Sequence, residues 1–405
     1  MRPSTALKLS APGLLVLSRP AAQRILLPLA AALCGLAWGQ PGGCAVLGFS
    51  VLVPLLWHLS ASRWTAAAVV VSFQLAASRG MPAGTGIFFA ASAPAAFGFA
   101  LWLAMAAANA APWWALWRKE PAQRRWALPA ILVVTSVPPL GIIGWANPLT
   151  AAGILYPGTG FVGLALLLAF WLASMAGQRR GIALLATVAL LANGYVAMAA
   201  APAAPRFAAI DTNYGKLGSQ PGDFVEAYAR LTAVQDAADT LAPGHVLVLP
   251  ETVLGRYTDV TAAALQETEN RLAAKHSAVV VGAEISASSG RLDNVLIVLG
   301  EQQVLRQRVP IPVGMWRPWA DESFSMHLTG TGIATIGGHR AAYLVCYEQL
   351  LVFPVLASFL HSPDLLVGAA NDWWARDTSA PAIQRQAIDA WGRLFAVPVI
   401  RATNL

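Results

Sequence analysis

Acidic residues are almost missing from the first half of this 405-residue chain: residues 1–205 hold twelve Lys and Arg but only Glu120 against them. Residues 206–405 hold nineteen Asp and Glu and fifteen Lys and Arg, so the halves carry +11 and −4 and the basic character belongs to the first. Charge is scarce throughout, at 12% against about 25% in an ordinary soluble domain. The basic residues stand in short clusters between apolar runs, the pattern of cytoplasmic loops of a membrane protein, so direct nucleic-acid binding is not expected. Cysteine is scarce too. Three residues without CxxC or Cys/His ligand spacing exclude a disulfide framework and a zinc site, and no metal or cofactor is expected. Cys34 and Cys44 read as small apolar residues, whereas Cys346 stands alone in the second half. Gly330-Thr-Gly332 and Gly337-Gly338 follow no phosphate-loop spacing.

What the first half does contain is apolar sequence. Runs near the length of a spanning helix recur up to residue 201, about seven in all, at 25–40, 43–60, 64–78, 86–108, 127–146, 154–176 and 181–201. Arg2, Lys8, Arg19 and Arg24 precede the first run. Arg63, then Arg118, Lys119, Arg124 and Arg125, then Arg179 and Arg180 occupy every second loop thereafter. This alternation predicts a membrane protein with a cytoplasmic N-terminus and its second half on the opposite face, in contact with membrane lipid; in a bacterium that is an inner-membrane protein with a periplasmic second half. The segment from Gly141 to Pro148 reads either as a plain turn between spans or as a loop lining a lipid entrance. Tyr214-Gly-Lys216 reads as a lid near the membrane.

From Ala208 the pattern changes to short β runs alternating with helical stretches, the mark of an α/β layer fold. Strands are predicted at Phe207–Asp211, Val246–Leu249, Ala278–Gly282, Val295–Leu299, Ala341–Cys346, Leu365–Ala369 and Pro398–Ala402. Two strand ends carry reactive groups: Leu249-Pro-Glu251 delivers a carboxylate and Val345-Cys346-Tyr-Glu348 a thiol. Active sites of α/β sheets gather at carboxyl ends of strands, where such a pair can act as general base and nucleophile. Taken singly, each is bland: a lone Cys at a strand end is usually buried packing, and a Glu after Leu-Pro usually starts a helix.

Together they fall into an ordered series. Leu249-Pro-Glu251-Thr, Val281-Gly-Ala, Asp293-Asn-Val, Pro312-Val-Gly314, Cys346-Tyr-Glu348, Asn371-Asp-Trp-Trp374 and Arg401-Ala-Thr-Asn404 resemble the nitrilase (carbon–nitrogen hydrolase) superfamily. The preceding apolar half resembles its membrane branch, the bacterial apolipoprotein N-acyltransferases. The resemblance implies an all-α transmembrane bundle over 1–201 and an αββα nitrilase-like sandwich over 206–405. It also implies thiol acyl transfer from phospholipid to the amine of a lipoprotein, with Glu251 as base, Cys346 as nucleophile and Glu348 as a further acidic site residue.

Two departures follow. Aligning Pro312 and Gly314 with that family puts Gln307 where it has a lysine, leaving Arg306 or Arg308 as displaced electrostatic substitutes, and adjacent strand residues face opposite ways. The chain also stops at Asn404-Leu405, which implies a C-terminally shortened sandwich. Both point toward the conjugation-associated branch of the lineage, membrane proteins encoded with the conjugal transfer genes of rhizobial and agrobacterial plasmids. There the domain would serve the conjugation machinery, with or without catalysis. Trp316, Trp319, Trp373 and Trp374 would then line an acyl groove, or simply form core. A transporter is disfavoured because the first half has no intramembrane acidic residue.

Overall fold

The computed structural model describes residues 20–90, 93–94, 96–217, 223–287 and 290–405. Arg2, Lys8 and Arg19, used above for orientation, lie outside them. The first half folds as α1 (Pro20–Leu36), α2 (Leu52–Leu59), α3 (Arg63–Ala77), α4 (Met81–Phe89), α5 (Ala96–Ala115) and α6 (Pro121–Ser136). The short α7 (Ala152–Leu155), α8 (Phe161–Met175) and α9 (Arg179–Met198) complete it.

A seven-helix transmembrane bundle is not what these helices form. Among the described residues, only α5 and α9, each of 20 residues, are long and apolar enough to cross a membrane. At 1.5 Å per residue they reach about 30 Å, the thickness of the hydrocarbon core, whereas the 15 residues of α3 or α8 reach only about 22 Å. The expected spans were too long because the chain breaks inside them. The run at 127–146 ends its helix at Ser136, before Pro138-Pro139, and the run at 154–176 turns at Tyr156–Gly160 before α8 begins. Several of these apolar faces are spent on each other. Phe73, Trp38, Trp57 and Trp171 are fully or almost fully buried. At Gly35 a side chain would place its first carbon 2.4 Å from the carbonyl oxygen of Phe73, so α1 and α3 approach backbone to backbone.

The second half builds two sheets. In the first, β1 (Phe207–Ala209), β2 (Val246–Val248) and β3 (Ala278–Ser286) run parallel, and β4 (Leu292–Leu299) and β5 (Gln303–Arg306) continue antiparallel. In the second, β6 (Ile333–Ile336) pairs antiparallel with β7 (His339–Val345), which runs parallel to β8 (Leu365–Asn371) and β9 (Val399–Asn404). Strands β5 and β6 escape the sequence pattern because each is a four-residue edge strand with exposed positions rather than a continuous apolar run. Two-residue alternation decides which face each side chain takes. Val246, Val248, Val280, Tyr343, Val345 and Val367 meet in one core between the sheets. Leu247, Val279, Val281 and Ile297 point outward onto α10 (Phe224–Thr240) and α11 (Asp259–Ala274) through Val234, Ala238, Leu265 and Leu272.

The outer face of the second sheet is covered differently. Ala342, Leu344 and Leu366 pack on α12 (Val352–Phe359) and α13 (Ala380–Phe395), and the same core runs on without interruption to Trp57, Phe73 and Trp171 of the first half. Gly153 of α7 touches the α13 backbone so closely that a first side-chain carbon would sit 2.0 Å from the Ala390 carbonyl oxygen. The helical half is therefore a packing layer for the sheet that carries Cys346.

Candidate active site

Glu251 and Cys346 emerge from neighbouring strand ends, one from each sheet. After β2 the chain passes through Leu249-Pro250 and delivers Glu251 into the interior at 3% exposure. It lies against the backbone of β3, where a carbon on Gly282 would fall 2.3 Å from the Glu251 Cα; only glycine permits this approach. Cys346 follows β7 directly and adopts φ +48°, the left-handed region that costs a non-glycine residue about 1–3 kcal/mol and concentrates at functional positions. That turn breaks the strand and starts the 3-10 stretch Cys346–Leu350.

The Cys346 thiol donates a hydrogen bond to the Glu251 carboxylate, and the backbone of Asn371 at the end of β8 bonds both. Asn294 Nδ2 also donates to Glu251. Burial pushes the Glu251 carboxyl up to about 7, although the bonds from Cys346 and Asn294 pull the other way. Burial, reinforced by the charges of Glu251 and Asp372, pushes the Cys346 thiol well above its ordinary range. The resting pair is thus a neutral thiol beside a carboxyl poised near neutrality, suited to taking its proton.

Glu348 does not join them. Its Oε1 accepts from the backbone N–H groups of Arg308 (2.8 Å) and Val309 (3.1 Å), and its Oε2 from Val345 N–H at 2.9 Å. It ties the 307–309 segment to the strand end that presents Cys346, a positioning role. Arg308 is occupied there as well, donating to Glu348, to the Pro354 carbonyl at 3.0 Å and to the Tyr343 carbonyl at 3.4 Å. Arg306 turns outward to Asp293, 2.9 Å away. Neither arginine substitutes for a lysine beside the sulfur. The residue between them does face the site. Gln307, 1% exposed, donates to the Val345 carbonyl at 3.0 Å and accepts from Asn294 Nδ2 at 2.8 Å, so a neutral amide relay runs from the cysteine elbow to Glu251.

On its other side Cys346 opens into an apolar cavity of about 300 Å³. Met81 and Phe88 of α4, Leu101 and Met105 of α5, and Ile143 and Trp145 of the Gly141–Pro148 segment form walls, with Tyr347, Asp372 and Trp374 completing the inner end. Of the four tryptophans expected to form a groove, only Trp374 lines this cavity, wedged against α4 so tightly that a carbon on Gly84 would lie 2.5 Å from its ring. Trp373 stacks on Phe88 from outside, Trp316 packs into the adjoining core, and Trp319 is 70% exposed.

No family model matches the chain. Two curated relatives match nearly all of it. The conjugal transfer protein TraB of Agrobacterium fabrum is 36% identical over 392 residues, 91% of this chain and 90% of that protein. The probable conjugal transfer protein TraB of Sinorhizobium fredii is 35% identical over 389 residues, 90% and 94% of the two. The chain belongs to the TraB family. Solved structures resemble it over less of its length. An amidase of the nitrilase superfamily from Nesterenkonia sp. AN1 covers 43% of this chain and 68% of its own at 16% identity and TM-score 0.30. A carbon–nitrogen hydrolase from Helicobacter pylori G27 covers 41% and 59% at 13% identity and TM-score 0.29.

Sequence reasoning singled out Glu251 and Cys346 in this TraB-family chain but passed over three residues around them. Asn294 sits inside the quoted Asp293-Asn-Val element, and Asp372 inside Asn371-Asp-Trp-Trp374; neither has a local feature that separates a site residue from a turn residue. Lys216 is expected above only as part of a lid near the membrane. The loop carrying it is fastened by Asn404, which accepts from Tyr214 N–H and donates to the Gly215 carbonyl, and it brings the ammonium 5.4 Å from the Trp373 ring.

Proposed function

We propose that this chain is a membrane-attached component of conjugal transfer whose Cys346–Glu251 pair carries out thiol-based acyl chemistry on an apolar acyl group. The observation that carries it is the placement of Cys346, with a carboxyl on one side of the sulfur and an apolar cavity on the other. In the reaction, Glu251 takes the Sγ–H proton and the sulfur adds to the acyl carbonyl. The tetrahedral centre then collapses with loss of the alcohol or amine, which leaves with the proton from Glu251. Water or an amine resolves the thioester by the reverse sequence. The Trp145 indole N–H, buried among the cavity residues without a hydrogen-bond partner, supports a ligand that brings an acceptor oxygen into otherwise apolar surroundings. The relatives' conjugal transfer names support the biological setting.

Attachment rests on α5 and α9. No residue of α9 is buried in the protein, as suits a helix that meets lipid. Arg118, Lys119, Arg124 and Arg125 follow α5, and Arg179 and Arg180 open α9, which supports cytoplasmic positions for those ends and a periplasmic position for the sheets. A reporter fused after Leu405 that is active only in the cytoplasm would overturn that orientation.

A second reading keeps the fold as a non-catalytic part of the transfer machinery, and Gln307 at the place of a lysine favours it. Membranes supplied with an alkyne-labelled fatty acid separate the two. Acyl chemistry predicts a hydroxylamine-labile label on the wild type that Cys346→Ala lacks, and a bare wild type sinks it.

A further inference from the structure

The acyl chemistry proposed above has, among the described residues, one free N–H in its cavity, the Trp145 indole, and its anionic intermediate asks for a further donor beside the sulfur. When the sulfur adds to a carbonyl, an oxygen becomes anionic inside an apolar cavity, and such a charge needs a preorganised donor. Arg306 and Arg308 are committed elsewhere, and Gln307 Nε2 donates to the Val345 carbonyl.

The cavity itself holds a candidate. Among its polar side chains, Thr85 donates to the Met81 carbonyl, Gln384 Nε2 to the Cys346 carbonyl at 2.8 Å, and Tyr347 Oη to the Gly144 carbonyl at 2.8 Å. Asp372 differs. It is 2% exposed, lines the cavity beside Cys346, and its carboxyl group accepts no hydrogen bond among the described residues. The two buried carboxyls of the site are therefore unequal. Glu251 is held by donors from Cys346, Asn294 and Asn371, all of which favour its ionised form. Asp372 has only the charge of Arg385 on α13 to favour ionisation, set against burial. Burial without a donor makes the Asp372 carboxyl costly to ionise, and a charge there would in turn push Glu251 up.

We propose that Asp372 acts as a neutral acid, donating a hydrogen bond from its O–H to the oxyanion that forms when Cys346 attacks the acyl carbonyl. Glu251 removes the thiol proton, the S–C bond forms as the carbonyl π pair moves to oxygen, and the Asp372 O–H holds that oxygen. On collapse the pair returns to the carbonyl, the leaving group departs with the proton from Glu251, and Asp372 keeps its own. A carboxylic acid kept neutral in an apolar pocket is an effective oxyanion donor, and burial indeed pushes Asp372 up to about 7. The titratable and charged groups around it are Glu251 beyond β2, the neutral Cys346 thiol beyond β7, Arg385 on α13 and, beyond the Trp373 ring, Lys216.

The test uses the full chain in detergent, with a p-nitrophenyl acyl ester as probe and Cys346→Ala as background. The wild type should release p-nitrophenol in a bell-shaped pH profile whose alkaline limb falls just above neutrality. Asp372→Asn, which keeps an N–H donor that cannot ionise, should stay within about tenfold of the wild type and lose that limb; Asp372→Leu should fall about 10²- to 10³-fold. Wild-type rates in Asp372→Leu, or an unchanged limb in Asp372→Asn, overturn the role of Asp372 while leaving the thiol chemistry standing. Release that Cys346→Ala retains in full overturns the thiol chemistry and this proposal with it. Infrared difference spectra taken across neutral pH give a readout independent of turnover. A protonated carboxyl band that disappears in Asp372→Asn is expected, and its absence from the wild type overturns the proposal.

Discussion

Arg308 and Glu348 form an ion pair from which water is excluded, 3.3 Å apart with side chains 1% and 0% exposed. Removing one member of such a pair strands the other charge and costs about 3–5 kcal/mol. Glu348→Ala should therefore lower the thermal midpoint sharply even though Glu348 does not touch the Cys346–Glu251 pair. It should also blunt Cys346 reactivity, because the carboxylate holds Val345 N–H at the cysteine elbow. A variant as stable as the wild type would show that the pair contributes nothing.

Gly282 lies where β3 meets the Glu251 backbone, with no space for a methyl group. Gly282→Ala should displace Glu251 at a cost of about 1–3 kcal/mol and depress acyl labelling of Cys346 more than it depresses expression. Equal labelling per folded molecule would contradict this.

Gln307 is one amide away from Glu251, through Asn294. Gln307→Lys introduces a cation there, which favours the charged forms of Glu251 and Cys346 and should move the ionisation of both to lower pH by about 1–3 pH units. The check is the pH midpoint of Cys346 alkylation. A midpoint that does not move would mean that position 307 is not sensed by the thiol.

Stability should fall as pH rises toward neutrality. Glu251 and Asp372 are both pushed up to about 7 by burial, from ordinary values of 4.5 and 3.8. Between those limits the folded protein keeps protons that the unfolded chain releases. Each group's contribution, on the order of 3 kcal/mol, is thus complete below about pH 4 and gone once the pH passes about 7. Thermal midpoints at pH 5 and pH 8 measure the fall. The double variant Glu251→Gln, Asp372→Asn should show a smaller one, and an equal fall would assign the effect to other groups.

How much of this was legible beforehand differs from element to element. Val246–Val248, β7 and β8 stand out as apolar runs closed by Pro, a reactive residue or Asn, because strand patterning and breaks are written in neighbouring residues. The apolar helices were over-read as spans for the same reason. A helix without a buried residue, such as α9, and one packed on its neighbours, such as α3, carry similar local hydropathy, and only the packing separates them.

At Cys346 and Glu251 the sequence by itself determined which residues stand at two strand ends, since each follows an apolar run whose length and termination are local properties. The tertiary structure decided what surrounds them. Asn294, Gln307 and Asp372 reach the pair from β4, from the segment after β5 and from the end of β8, and Met81, Met105 and Trp145 close the cavity from the first half of the chain. Those groups are far apart in sequence, and only the packing of the sheets and helices brings them around one sulfur. Which arginine faces outward and which carboxyl is left without donors are consequences of that assembly.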